Sequence, residues 1–430
     1  MPALLALALV HSVQPSLGAS GPTQFQSQVP QVGPYNYSAA PAIAEPVRLQ
    51  ITPKLDGRID NDEWDPLTTA GDSKTYFQWA PGIIYAAASG PAGTDLVLSL
   101  DLQGDGWLVG DDNYEARISM AGGKPTLSVR QLDATNVAGP VWKDLAGWTI
   151  ASTAMASSDG THVTYELRLC DAYLGVLPRK PTKMNARVDL VPSGDPGTQA
   201  FIPRGLAPIT LETRRAEALP SNLQYGVEHA DRPAAPGDNA LVRFTFKAKG
   251  KVGVKKIHIL AEGQLKDQTN ELSVPFPAMD SKGRAFVDYS TRIGTDADLG
   301  YHVLKGTLTL DDGTPAVIET SFRVAPPVDV VVDTTSVKAD PHDRSLHISY
   351  HLTSNTTKAV GGEIGFALDP RFRVVNGGST QKFRIFDTRS RAYMRFEVFV
   401  PGKTTGTYPI EFHLTANGEK STVTRFITIG

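Results

Sequence analysis

Short runs in which every second residue is apolar, each cut off by a Gly, Pro, Asp-Gly or Asn-Gly turn, limit what this chain can fold into. Leu96-Val97-Leu98-Ser99-Leu100, Thr164-Tyr165-Glu166-Leu167-Arg168-Leu169 and Leu241-Val242-Arg243-Phe244-Thr245-Phe246 have this form. So do residues 256–260, 302–310, 346–352 and 423–429. One apolar side chain in two is what a half-buried antiparallel strand requires. Asp311-Asp312-Gly313, Asn376-Gly377-Gly378 and Asn417-Gly418 supply turns between such runs. No long stretch with a helical period intervenes. The 39 glycines and 31 prolines point the same way, and the expectation is an all-β chain of β-sandwiches.

A chain of 430 residues suggests about three domains. Residues 20–45 are rich in Gln, Pro, Ser, Gly and Ala and read as a linker. Two further boundaries are expected, at residues 216–220 and at Ala325-Pro326-Pro327. They divide the rest into residues 46–214, 215–326 and 327–430. The last two blocks share a closing strand pair. Gly406-Thr407-Tyr408 precedes one, with Gly300-Tyr301 as its shorter counterpart, a form common in immunoglobulin-like modules. Residues 1–19 carry the apolar run 4–10 followed by Gly18, Ala19 and Ser20. They resemble a secretory signal, although no Lys or Arg precedes Arg48. The expected location is secreted, extracellular or at the cell surface. No other segment is long and apolar enough for an integral membrane helix.

A single cysteine, Cys170, rules out an internal disulfide and any multi-cysteine metal site. It reads as a small, partly buried hydrophobe. The net charge is −3 with no prominent block of like charge, so neither nucleic acid nor an anionic membrane is expected as a partner. Carboxylates abound, but no local pattern isolates an acid and a nucleophile. The nine histidines are scattered; His347 and His351 share a strand face expected to meet solvent. Metalloprotease, phosphate-loop, nucleophile-elbow and dinucleotide motifs are absent. The expectation is therefore a non-catalytic protein.

The most distinctive text is Ile51-Thr52-Pro53-Lys54-Leu55-Asp56-Gly57-Arg58-Ile59-Asp60-Asn61-Asp62-Glu63-Trp64. It is an apolar strand, a Leu-Asp-Gly turn, and an acidic segment that ends on a Trp expected to plug the sandwich. With Asp56, Gly57, Asp60 and Trp64 in these places, it resembles the opening of family 9 carbohydrate-binding modules and of the related DOMON-like sandwiches. Residues 94–101, 110–118 and 165–169, then Leu174-Gly175 and Asn185, follow in the family's order. The resemblance covers residues 46–214 and lapses over 127–158.

The resemblance implies binding of a polysaccharide or glycan end, often with structural calcium. Aromatic rings stack on sugar C–H faces, and carboxylates, amides and Arg take the hydroxyls. All five tryptophans lie in this first region. Trp107, in the turn Gly104-Asp105-Gly106-Trp107, is the leading stacking candidate, although loop placement leaves core or platform open. Trp79, Trp142 and Trp148 follow it, with Glu115 and Asn113 as polar partners. Asp111 and Asp112, in an acidic segment with Asp105, are the candidate calcium ligands. A solvated turn is the plainer reading of that segment.

Two other readings stay open. The chain could be a structural or adhesive protein contacting other cell-surface proteins, its first region having no sugar ligand. Some DOMON-like domains hold haem, for which Met120, Met155, Met184 and His162 are available ligands.

Overall fold

Strand after strand forms because β-branched and aromatic residues alternate with polar ones. Arg284–Arg292 shows it most plainly, exposed and buried side chains changing places at each residue. The computed structural model describes residues 47–60, 63–106, 111–133, 141–171, 175–194, 206–229, 233–261, 271–378, 380–387 and 390–430. The signal-like segment and the linker lie outside them. The chain forms two compact units. The first runs through Arg48 and over Pro53–Glu212, and the second comprises Leu49–Thr52 and Thr213–Gly430. The protein is all-β, as its alternation implies.

The first sandwich is built from β1 (Val47–Leu49), β2 (Pro66–Ala70), β3 (Ser73–Ala80), β4 (Ile83–Pro91), β5 (Thr94–Asp101), β6 (Asn113–Ala121), β7 (Lys124–Asp133) and β8 (Val141–Asp144). The short helix α1 (Ala146–Ala151) follows, then β9 (Thr153–Ser158), β10 (His162–Cys170), β11 (Thr182–Pro192) and β12 (Ala207–Glu212). One sheet has the order β1-β12-β11-β5-β6-β7-β8 and the other β2-β3-β4-β10-β9. Their inner faces share a core of Phe77, Trp79, Leu96, Leu98, Leu100, Ile118, Tyr165 and Leu167 among others. β4 departs from simple alternation, being buried at Ile84 through Ala88. Ala86 and Ala88 belong to the core, so Tyr85 and Ala87 on the opposite side must be covered by other chain. That cover positions the opening motif described below.

The second unit begins with β13 (Arg214–Glu217), β14 (Leu223–His229), β15 (Asn239–Ala248), β16 (Val254–Ala261), β17 (Leu272–Pro275), β18 (Arg284–Arg292), β19 (Gly300–Leu310) and β20 (Pro315–Val324). It continues with β21 (Val328–Val332), β22 (Ser336–Val337), β23 (Arg344–Ser354), β24 (Val360–Leu368), β25 (Arg373–Asn376), β26 (Thr380–Ile385), β27 (Arg391–Val400), β28 (Gly406–Ala416) and β29 (Glu419–Ile429). Sheets β13-β20-β19-β16-β17 and β14-β15-β18 enclose one core around Phe244, Phe246, Ile257 and Leu308. Sheets β21-β23-β27-β25 and β22-β29-β28-β24-β26 enclose another around Tyr350, Ile364, Phe396 and Phe412.

The Pro-Pro segment between these two cores is tied down. Asn355 donates from its backbone to Pro327 O (2.9 Å) and from Nδ2 to Pro326 O (2.8 Å). Asn355 heads an Asn-Thr-Thr glycosylation triplet, yet its burial and bonded amide leave no room for a glycan in the folded state. Among the described residues no helix is long and apolar enough to cross a membrane.

Candidate functional site

The opening motif forms a strap over the outer side of the five-stranded sheet. Asp56 Oδ1 accepts from Arg58 N (3.1 Å), closing the turn. Gly57 has φ +85°, a conformation that favours glycine. Its N–H donates to Glu166 Oε2 (2.5 Å), and its carbonyl accepts from Ser157 Oγ (2.7 Å). Further along, Glu63 O accepts from Gln78 Nε2 (3.4 Å), and Trp64 meets Tyr76 edge to face at 6.3 Å. Trp64 is buried, as a plug should be, but against the outside of the sheet. Burial under the strap pushes the Glu166 carboxyl up to about 7, with the charges of Asp56 and Glu63 adding to it; the bond from Gly57 works the other way.

The outer side of the seven-stranded sheet differs. Register places Asn113, Glu115 and Arg117 of β6 beside Asp101, Ser99 and Val97 of β5, and Ser119 Oγ donates to Asp95 Oδ2 (2.8 Å). Asn185, Arg187 and Asp189 of β11 adjoin β5. Arg130 of β7 lies opposite Glu115, and Trp142 of β8 lies opposite Leu132. The inner face holds Leu96, Leu98, Leu100, Tyr114, Ala116 and Ile118, so this polar set faces away from the core.

Two centres organise this face. In the first, Glu115 Oε1 pairs with Arg130 Nη2 at 2.7 Å, and the Arg130 guanidinium lies 4.8 Å from the centre of the Trp142 ring. Glu115 is only 3% exposed, and its Oε2 has no hydrogen-bond partner among the described residues. In the second, Asp101 Oδ1 accepts from Gly104 N (2.7 Å), while Oδ2 accepts from Gly106 N (2.8 Å) and Asn185 Nδ2 (2.8 Å). Carboxylate oxygens of Asp101, Asp105 and Asp112 lie within 4.8 Å of one another. Burial pushes the Asp112 carboxyl up to about 7, reinforced by its hydrogen bond to Asp101 and by that neighbour's charge. Three hard oxygen donors, two of them buried, suit a cation such as calcium. At the other end of β5, Asp95 is held charged. Burial opposes its charge, but hydrogen bonds from Ser193, Arg117 and Ser119 outweigh this and lower its pKa.

The sequence-predicted residues separate accordingly. Trp107 lies outside the described residues. Trp79 and Trp148 are core residues at 1% and 2% exposure, not stacking platforms. Trp79 packs inside the sandwich and donates Nε1–H to Arg48 O (2.9 Å), and Trp148 stacks on Tyr114 at 4.9 Å. A ring enclosed on both faces cannot meet a sugar. Trp142 is half-buried and joins Glu115 and Asn113 on the outer face. Asp112 joins the acidic cluster; Asp111 is exposed and is replaced there by Asp101, with Asp105 completing the set. Met184 is core, Met120 packs at its margin, Met155 is on β9 and His162 lies exposed beside the Asp159 turn. Cys170 is free and half-buried. His347 faces solvent, but His351 is covered, bonded to Asp333 Oδ1 at 2.9 Å with the Tyr393 ring 5.4 Å away.

Sequence reasoning missed Arg130 and Asp101. The Gly122-Gly123 turn carried a signal for Arg130, because counting outward from it sets Arg130 opposite Glu115.

The chain matches no family model and no curated protein. Among solved structures it is similar to native E. coli alpha-2-macroglobulin, at 9% identity and a TM-score of 0.25, over 84% of this chain and 32% of that one. Methylamine-reacted Salmonella alpha-2-macroglobulin gives 12% identity and 0.24, over 84% and 32%. Red sea bream transglutaminase gives 11% identity and 0.30, over 78% and 57%. This chain thus spans about a third of the length of the alpha-2-macroglobulins. Similarities of this size assign neither family nor activity.

Proposed function

We propose that the protein is a secreted, non-catalytic carbohydrate-binding protein whose ligand lies on the outer face of the seven-stranded sheet. The observation that carries this reading is the Glu115–Arg130–Trp142 centre. A half-buried ring is held under a guanidinium, beside a buried carboxylate oxygen that no described group satisfies. A sugar hydroxyl is a donor that would satisfy that oxygen, and a C–H face is a surface such a ring can take. The resemblance of residues 46–214 to carbohydrate-binding modules supports the same class. Asp101, Asp105 and Asp112 would hold a structural calcium that fixes the 102–106 turn at the end of this face.

A glycan array of the full chain tests the proposal, with and without calcium and with Trp142→Ala alongside. Binding to at least one glycan, weakened about tenfold or more in the variant, is the expected result. A folded protein that binds no glycan would overturn it and favour a structural or adhesive role.

A further inference from the structure

The outer face of the β21-β23-β27-β25 sheet carries arginines that make no ion pair among the described residues. Some cross-strand arginines of this chain meet a carboxylate directly opposite. Arg243 lies opposite Asp288 and grips it at 2.6 and 3.0 Å, and Arg130 lies opposite Glu115. On β27 the pattern fails, since Arg391 faces Thr353 and Arg395 faces Ser349. Arg373, on β25, packs its guanidinium 5.5 Å from the Phe399 ring. All three are exposed, and none makes an ion pair among the described residues. Three acids share this face. Asp329 is held by Arg425 (2.8 Å) and Arg323 (3.4 Å), and Asp333 bonds His351, while Glu397, two residues beyond Arg395 and opposite His347, makes no ion pair with these arginines among the described residues. Between Arg391 and Arg395 stands Tyr393, 70% exposed.

The sequence contains the same asymmetry. Residues 371–395 hold seven Lys or Arg against one Asp in a chain whose net charge is −3. Folding places Arg373, Arg391 and Arg395 from that stretch on one side of one sheet.

We propose that this face binds an acidic polysaccharide, with Tyr393 stacking on a sugar ring and Arg391, Arg395 and Arg373 holding its anionic groups. Guanidinium forks match carboxylates and other planar or tetrahedral anions. Residues two apart on a strand are separated by about 6.8 Å, so Arg391 and Arg395 stand about 13 Å apart astride the ring. That is sparser than the phosphates of a nucleic acid, and single-strand binders present successive exposed rings, whereas among the described residues of this face Tyr393 is exposed and Phe399 is half-buried beside Arg373. The site is separate from the one on the first unit and would extend the protein's reach to a second kind of glycan.

The test titrates the full chain with an oligo-uronate, a sulfated glycosaminoglycan, a neutral oligosaccharide and a single-stranded oligonucleotide, at about 50 mM and about 500 mM salt. The expected result is binding of at least one acidic glycan that weakens at the higher salt. It should fall about tenfold or more in Arg391→Gln/Arg395→Gln and in Tyr393→Ala. Thermal unfolding checks the fold of the arginine variant; should it be impaired, Tyr393→Ala, altering an exposed side chain, decides. No acidic glycan bound, binding indifferent to these variants, or tighter binding of the oligonucleotide would each overturn the proposal.

Discussion

The two outer faces of the first sandwich both bury a carboxylate, and they treat it in opposite ways. On the five-stranded sheet, Glu166 is closed over by the chain's own opening segment, which gives it the Gly57 N–H and sets Trp64 on Tyr76. On the seven-stranded sheet, Glu115 receives Arg130 on one oxygen and no described group on the other, with Trp142 alongside. The first face has consumed its best aromatic in sealing itself. The second keeps a ring, a guanidinium and an acceptor together, which is the chemistry a sugar needs. The residues of the opening motif thus do structural work, covering Glu166 and seating Trp64.

Substitutions separate the two faces. The largest effect is expected from Trp64→Ala, which empties the space beneath the strap and should cost about 3–5 kcal/mol in denaturant unfolding. An indistinguishable midpoint would show that the strap does not support the sheet. Trp142→Ala should reverse the balance, with stability changed by about 1 kcal/mol or less and glycan affinity reduced by about 2 kcal/mol in calorimetric titration. Equal losses in stability from both variants would erase the distinction between the faces.

Smaller effects follow from titration. The Glu166 carboxyl lies at about 7 in the folded chain, above its ordinary 4.5. The folded state then keeps a proton that the unfolded state releases between these values, so stability is fullest below about 4.5 and falls as pH rises through 7. Asp112 contributes with the same sign. Glu166→Gln should flatten the fall in stability between pH 5 and 8 without abolishing it, and an unchanged slope would contradict the buried-acid description. The smallest shift is expected from calcium, which at pH 8 should raise the Tm by a few degrees in the native chain and not in Asp112→Asn. Equal shifts in both would remove the acidic cluster as the binding site.

The sandwich architecture was legible because alternation and turns are local. The Leu-Asp-Gly turn and the burial of Trp64 were legible for the same reason. What escaped depended on register and on depth. Trp79 and Trp148 look like Trp142 in the sequence, and only packing reveals that two of the three are enclosed. In the sequence Asp101 ends a strand like any other, but the returning Asp112 and the Gly104 and Gly106 amides make it the centre of a cluster. The arginines of residues 371–395 do not stand out in the sequence, because the whole chain is nearly neutral and their spacing is irregular. Strand pairing turns that spacing into a patch.

The most direct measurement is hydrogen–deuterium exchange of the full chain with and without a bound oligosaccharide identified by the array. Ligand-dependent protection is expected in Asn113–Ala121, Lys124–Asp133 and Val141–Asp144, which carry Glu115, Arg130 and Trp142. Protection confined to the strap and to His162–Cys170, with β6 to β8 unchanged, would contradict placement of the sugar on the seven-stranded sheet.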